Sequence, residues 1–201
     1  MDEFECVKCG GVNTDKAASC CGCGWPLTAD AWKASPRPLR RISLDTNCVN
    51  AKQAHADINQ LEQWAREGRI VLERSGTFLA ELKGQRRIEK AALIPQHLTV
   101  WALGVAGQSE LGVTTMLGGP DVHDEVRSVM FPTTATLNNN QNADIDHLRG
   151  HVRTGGDAFV TLDEDDFIRD GKRMELQRRG IWIFTPPEIT QFLTELYGWN
   201  A

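Results

Sequence analysis

Acidic residues stand next to short apolar segments at two distant places in the chain. Asp45 follows the apolar residues 42–44, and Asp163 follows residues 158–161. A third acid, Asp144, begins a segment with helical spacing that precedes the second apolar segment. Carboxylates at the carboxyl ends of buried strands are badly placed for packing but well placed to hold divalent cations. The pattern therefore indicates metal-dependent chemistry.

An alternation of strands and helices would position these acids. Short apolar runs predict strands over residues 42–44, 69–72, 98–101, 158–161 and 181–184. Helical spacing predicts helices over residues 54–65, 77–93, 121–130, 144–152, 172–179 and 186–197. Strands separated by helices predict an α/β fold with a parallel sheet covered on both faces.

Four acids would meet at one edge of such a sheet, because the carboxyl ends of parallel strands and the amino ends of helices share that edge. These acids are Asp45, Glu81, Asp144 and Asp163. Without a cation they would repel one another and raise one another's pKa values. A divalent cation would relieve the repulsion and could lower the pKa of bound water for attack on a phosphodiester.

Each acid also has a simpler interpretation when it is taken alone. Asp45 and Asp144 would serve as helix N-caps. Glu81 would be an exposed helical acid, and Asp163 would belong to a solvated turn. His147, close to Asp144 in the sequence, could contact RNA or a phosphate, but a position on a helix surface is the favoured prediction. The joint pattern of the acids is what favours a metal site.

The cysteines form a second candidate metal site. Four of the six have paired spacing with ten residues between the pairs, as Cys6-x-x-Cys9 and Cys20-x-x-Cys23. Two such turns facing each other make a tetrahedral sulfur site for one zinc ion. Three glycines suit the left-handed backbone of such turns: Gly10, Gly22 and Gly24. A disulfide framework is the alternative, but nothing in the sequence indicates secretion.

The cysteine region divides the chain. Roughly the first 27 residues resemble the short zinc ribbons found at the ends of many prokaryotic proteins. Residues 1–30 are therefore predicted to form a zinc ribbon, residues 31–40 a linker and residues 41–201 the main domain. The ribbon is acidic, which favours a folded cap or a protein-docking module over phosphate binding. The linker arginines Arg37, Arg40 and Arg41 would touch a phosphate backbone or simply be solvated.

Composition limits the class of protein. The length of 201 residues allows one domain with a substantial core and a small appendage. A formal net charge of −5 does not favour nucleic-acid binding, although bound cations would reverse the sign locally. The acidic amino terminus is not a signal peptide, and residues 91–120 are interrupted by Pro95 and Glu110 and cannot span a membrane. We expect a cytoplasmic protein.

The main domain resembles the PIN-domain nucleases over about residues 41–197, with poor agreement over 104–140. The family's first motif matches Leu44-Asp45-Thr46-Asn47, and its second acid matches Glu81. Its third acid matches Asp144, with Asp146 as a competitor. Its fourth motif matches Val160-Thr161-Leu162-Asp163, with one extra residue before Phe167.

This resemblance implies a three-layer α/β/α domain with a parallel sheet of roughly five strands. It also implies magnesium- or manganese-dependent cleavage of RNA, with Asp45, Glu81, Asp144 and Asp163 holding the metal. Asn47 and Thr161 would position an acid or a metal-bound water. Many family members are toxins restrained by an antitoxin, so an antitoxin, another protein or a second copy of the chain is the candidate partner.

Two other functions remain open from the sequence. A catalytically silent adaptor would dock partners through the ribbon and the PIN-like domain, but the presence of all four acids favours a nuclease. An Asp-nucleophile phosphatase also begins with a strand that ends in Asp. It usually needs a second Asp two residues later, where this chain has Asn47.

Overall fold

The computed structural model describes residues 3–51, 55–74, 94 and 122–199. In these ranges the elements are, in chain order, β1 (Glu3–Glu5), β2 (Val12–Thr14), α1 (Ala29–Ala34), β3 (Arg41–Leu44), α2 (Thr46–Ala51), α3 (Ala56–Arg66), β4 (Val71–Arg74), α4 (His123–Met130), α5 (Asn139–Arg153), β5 (Ala158–Val160), α6 (Glu164–Phe167), α7 (Lys172–Arg178), β6 (Ile183–Phe184) and α8 (Pro186–Tyr197). No helix within them is both long enough and apolar enough to cross a bilayer.

A parallel sheet is the centre of the fold. Its four described strands lie in the order β4-β3-β5-β6, and each neighbouring pair is parallel. This confirms the predicted α/β class and the strands expected over 42–44 and 158–161. The strand expected over 69–72 begins two residues later, at Val71. The predicted helix over 77–93 and the predicted strand over 98–101 lie outside the described residues.

Apolar side chains cover both faces of the sheet. Along β5, Ala158 and Val160 belong to one buried cluster, whereas Phe159 belongs to another. Because successive strand side chains point to opposite faces, the two clusters lie on opposite sides of the sheet. The first cluster includes side chains of α3 and α8, and the second includes side chains of α4, α5 and α7. The arrangement is compatible with the predicted three layers.

Helix boundaries follow local capping. The last helix, α8, has the predicted bounds, because Thr185 and Glu188 form a capping box and Gly198 ends the helix with φ of 68°. In contrast, α5 begins five residues before the predicted start at Asp144. A capping box sets the earlier start: Asn138 Oδ1 accepts from the Gln141 amide, and Gln141 Oε1 accepts from the Asn138 amide. The prediction that Asp144 begins a helix is therefore wrong.

The cysteine module, residues 3–28, shares a core with the sheet. Antiparallel β1 and β2 hold its first part, and Phe4, Trp25 and Leu27 join the buried cluster on one face of the sheet. Trp32 on α1 makes edge-to-face contacts with Trp25 at 5.5 Å and with Trp182 at 6.2 Å. The predicted linker, residues 31–40, thus begins with the last four residues of α1.

Asp157 fixes the rest of that linker. Its Oδ2 atom accepts from the backbone amides of Arg40 and Arg41 at 2.8 and 2.7 Å. Its Oδ1 atom pairs with the Arg37 guanidinium at 3.2 Å. Since Asp157 directly precedes β5, these contacts lie at the amino end of the sheet. The arginines that were considered for phosphate binding therefore sit at the edge opposite Asp45.

Replacing Trp32 with alanine should destabilise the chain by about 3–5 kcal/mol, because a buried indole leaves a large cavity. Trp32 is only 1% exposed. The matched control is Met174→Ala, which truncates a side chain that is 62% exposed and should change stability by less than about 0.5 kcal/mol. Denaturant unfolding of both variants at equal metal content measures the difference. Equal midpoints for the two variants would show that α1 is not part of the core.

Candidate metal centres

Four cysteine sulfur atoms form a compact group near the amino end of the sheet. Cys6 and Cys23 have their sulfur atoms 4.0 Å apart, and those of Cys9 and Cys20 are 3.5 Å apart. All four lie within 4.8 Å of one another. A tetrahedral ion with zinc–sulfur bonds of about 2.3 Å separates its sulfur ligands by about 3.8 Å. The group could therefore hold a metal ion such as zinc, and its cysteines are free of disulfide bonds.

Two similar backbone turns bring these sulfur atoms together. In the first, the amides of Cys9 and Gly10 donate to the Cys6 carbonyl, and in the second the Gly24 amide donates to the Cys20 carbonyl. Gly10 and Gly24 have φ of 72° and 70°, as predicted. The prediction is wrong for Gly22, which has no positive φ. Gly22 is needed for space instead, because a Cβ there would lie 3.1 Å from Cys9 Sγ.

Hydrogen bonds and burial give the cysteine thiols different pKa values. Burial raises the pKa of a thiol, but at Cys20 the amides of Cys23 and Gly22 outweigh this effect and lower the pKa to about 6. Burial raises the pKa of Cys6 well above its usual range. Cys21 is exposed and donates to the Val12 carbonyl at 3.1 Å, outside the group of four. Metal binding would stabilise the thiolate form of the buried members.

The carboxyl end of the sheet carries the acids. Asp45 directly follows β3, and its amide donates to the Val160 carbonyl on β5 at 2.9 Å. From β3 the chain runs to β4 on one side, whereas β5 and β6 lie on the other side. The topology therefore switches direction between β3 and β5, and ligands of open parallel sheets bind in the crevice at such a point.

Thr161 links the acids of the two central strands. Its Oγ1 atom donates to Asp45 Oδ2 at 2.6 Å and accepts from the Asp163 amide at 2.9 Å. Asn47 joins the same network, with its side-chain amide 3.2 Å from Thr161 Oγ1 and its Oδ1 atom accepting from the Leu162 amide. The other oxygen of Asp45 accepts from the Thr46 amide. Both side-chain oxygens of Asp45 are thus held by hydrogen bonds.

Further carboxylates surround Asp45. Asp144 lies in the second turn of α5, where burial and the nearby charge of Asp45 raise its pKa to about 8. The carboxylates of Asp166 and Asp163 act in the same direction. Asp163 is the N-cap of α6, accepting from the Asp166 amide at 3.0 Å, so it is not simply part of a solvated turn. We call these four residues the acid edge: Asp45, Asp144, Asp163 and Asp166.

Two predicted site residues are not part of the acid edge as the structure describes it. Asp146 points to Arg149 and forms an ion pair with it at 2.9 Å. Glu81 lies outside the described residues. Asp166, in turn, was not predicted as a site residue, although it belongs to the acidic run that follows β5. Its spacing of three from Asp163 within one helical turn was the available signal.

The acid edge fits a hard divalent cation. Its carboxylate oxygens are the ligands that magnesium prefers, and the mutual repulsion that raises the pKa of Asp144 is what a cation would relieve. Among the described residues, the cysteines alone bring every ligand atom within 4.8 Å. A wider spacing of carboxylates still suits magnesium, since that ion keeps several waters and uses one or two carboxylates.

His147 was missed as a site residue. It is only 1% exposed, and its Nε2 atom lies 3.4 Å from Thr46 Oγ1. The prediction that it lies on a helix surface is wrong, because α5 packs this side of the helix against the sheet. His147 is one turn beyond Asp144, so the two residues share a helix face.

No family model, curated protein or solved structure matches this chain.

What the two centres can do follows from their positions. The cysteine module contacts residues before β5 and β6, through Lys8 Nζ to the Gly156 carbonyl and the Val7 amide to the Arg179 carbonyl. The acid edge lies at the carboxyl ends of the same strands. An ion at the cysteines would therefore lie at the opposite end of the sheet from an ion held by the acids.

Purified protein should contain about one zinc ion per chain, because four thiolates complete a tetrahedral coordination sphere. Cys9→Ser should abolish this stoichiometry, whereas Cys21→Ser, the matched change outside the group, should leave it intact. Elemental analysis of protein prepared without chelators measures both. Zinc-free parent protein, or equal loss in both variants, would contradict the assignment.

Proposed function

We propose that this protein is a magnesium- or manganese-dependent ribonuclease of the PIN type, with the acid edge as its active site. One observation carries the proposal: Thr161 joins Asp45 to the start of the Asp163 turn across the two central parallel strands. The acids therefore stand at the switch point of the sheet, where parallel α/β proteins bind ligands. The resemblance of the same residues to the PIN motifs supports this assignment.

A divalent ion at the acid edge would supply a water activated for attack on a phosphodiester. The chain's own contribution is to hold and orient the ligands. Thr161 and Asn47 fix the carboxylate of Asp45 and the backbone that leads to Asp163. Asp144 approaches from α5 on a different layer. Burial and the charge of Asp45 raise the pKa of the Asp144 carboxyl, and a bound cation would favour the ionised form.

The remaining ligand of the proposal is Glu81, which is assigned from the resemblance to the family alone. Asp166 adds a fourth carboxylate among the described residues. A role as a toxin, with an antitoxin or a second copy of the chain as partner, likewise rests on the resemblance. The proposed cytoplasmic location rests on the composition of the chain.

The zinc-bound cysteine module is proposed to act as a structural support. Phe4, Trp25 and Leu27 of the module are buried in the core shared with the sheet, and Trp182 Nε1 donates to the Pro26 carbonyl at 3.0 Å. One side of the module is therefore buried against the rest of its own chain. Docking of a partner by a silent adaptor would have to use the opposite side, and it would not require the acid edge.

The parent protein should cleave RNA when manganese or magnesium is added, and chelation should stop the reaction. Asp45→Asn and Asp144→Asn should each reduce cleavage by more than about 100-fold, because even the loss of an outer-shell partner costs about 10- to 100-fold. Asp146→Asn is the matched control on the same helix. It removes an acid that is paired with Arg149 and should retain most of the activity.

The same variants separate a metal site from a capping role. Asp45 accepts from Thr161 Oγ1 and from the Thr46 amide through different oxygens, so Asn, which has one side-chain oxygen, keeps only one of these two hydrogen bonds. In ion-free buffer the lost acceptor destabilises Asp45→Asn and the relieved charge repulsion stabilises it, so the response to manganese, not the stability without it, separates the two roles. Manganese should raise the parent's melting temperature more than the variant's. RNA left intact by the parent at high enzyme concentration would instead favour the adaptor.

A further inference from the structure

His147 is a polar side chain buried beside the acid edge. The ring is 1% exposed, and its Nε2 atom lies at hydrogen-bonding distance, 3.4 Å, from the hydroxyl of Thr46. Burying a polar group costs free energy unless it is hydrogen-bonded, so the contacts of a buried histidine matter for the structure. An apolar side chain would fill the same space without that requirement.

The partner of His147 connects directly to the acids. Thr46 is the first residue of α2, and its amide donates to Asp45 Oδ1. On the other side, His147 lies one helical turn from Asp144 on the same face of α5. The imidazole also interacts electrostatically with the Asp144 carboxyl. His147 therefore stands between the two elements that carry Asp45 and Asp144.

We infer that His147 is a positioning residue, which ties α5 to the first turn of α2 and so sets the separation between Asp144 and Asp45. The inference rests on the proposed metal site and adds a determinant of its affinity. To hold a cation, Asp45 and Asp144 must both be ionised, and the two carboxylates on separate elements then repel each other and favour movement of α5 away from α2. The contact between His147 and Thr46 opposes that movement and preorganises the ligands.

A second histidine on α5 provides the matched comparison. His151 is also 1% exposed, and its Nδ1 atom lies 2.9 Å from Ser43 Oγ on β3. It packs edge-to-face on Phe159 and lies against Gly156, at the amino end of the sheet. His147 and His151 therefore share helix, burial and hydrogen bonding to a hydroxyl, but only His147 contacts the element that begins beside Asp45.

The test is manganese binding, measured by titration calorimetry on the full chain with its cysteine site loaded with zinc. His147→Leu should weaken manganese binding by about 10- to 100-fold, the usual effect of losing an outer-shell partner. His147→Gln keeps a donor and an acceptor near the Nε2 position and should restore most of the affinity. His151→Leu should lower the melting temperature about as much as His147→Leu while leaving manganese affinity within about twofold of the parent.

Thr46→Val supplies a second, independent variant should His147→Leu fail to fold. If the two side chains act through their contact, the double variant should bind manganese no more weakly than the weaker single variant. Unchanged affinity in His147→Leu or Thr46→Val, or an equal loss in His151→Leu, would overturn the inference. Manganese binding by a parent that cleaves no RNA would contradict only the proposed activity. A parent that binds no manganese would contradict both.

Discussion

The pairing of β3 with β5 is the constraint on which the rest of the structure depends. Leu44 lies opposite Val160, so the next residues, Asp45 and Thr161, must leave the sheet side by side. The 2.6 Å hydrogen bond from Thr161 to Asp45 follows from that register. A shift of one residue would turn Asp45 to the other face and would move Phe159 out of its cluster. Core packing and acid placement are therefore fixed by the same register.

The sheet separates the two candidate metal centres. At its amino end, sulfur atoms form a closed group that would leave no coordination position for a substrate. At its carboxyl end, oxygen ligands stand around a crevice and would leave positions open. Burial of carboxylates beside one another destabilises the ion-free protein. The apolar contacts of the cysteine module, including Trp25 against Trp32, which in turn packs on Trp182, supply compensating packing far from the acids.

Much of the fold could be predicted because the strands are short apolar runs and the helices have clear ends. Pro186 and Gly198, for example, mark the bounds of α8. The start of α5 could not be read from apolar periodicity, since its first turn contains only polar residues and depends on the capping box of Asn138 and Gln141. Residues 29–34 lack the apolar repeat of a longer helix, and their order comes from Trp32 packing against Trp25 and against Trp182, which is distant in sequence.

The site residues at strand ends could be predicted from the sequence, whereas the other site residues were harder to predict. Asp45, Asn47, Thr161 and Asp163 meet because local sequence fixes their positions at strand ends. The burial of His147 depends on how α5 rotates against the sheet, which no local pattern encodes. Which of Asp144 and Asp146 belongs to the site likewise depends on which face of α5 is buried. Asp146 lies on the face that pairs with Arg149.

The central claim is that a divalent cation binds where β3 and β5 end. Anomalous diffraction from crystals of the zinc-loaded protein soaked in manganese tests it most directly. The account predicts a manganese peak at the acid edge, within coordination distance of Asp45 and at least one of Asp144 and Asp163, and separate from the zinc peak at the four cysteines. A well-ordered acid edge without a manganese peak at saturating concentration would contradict it.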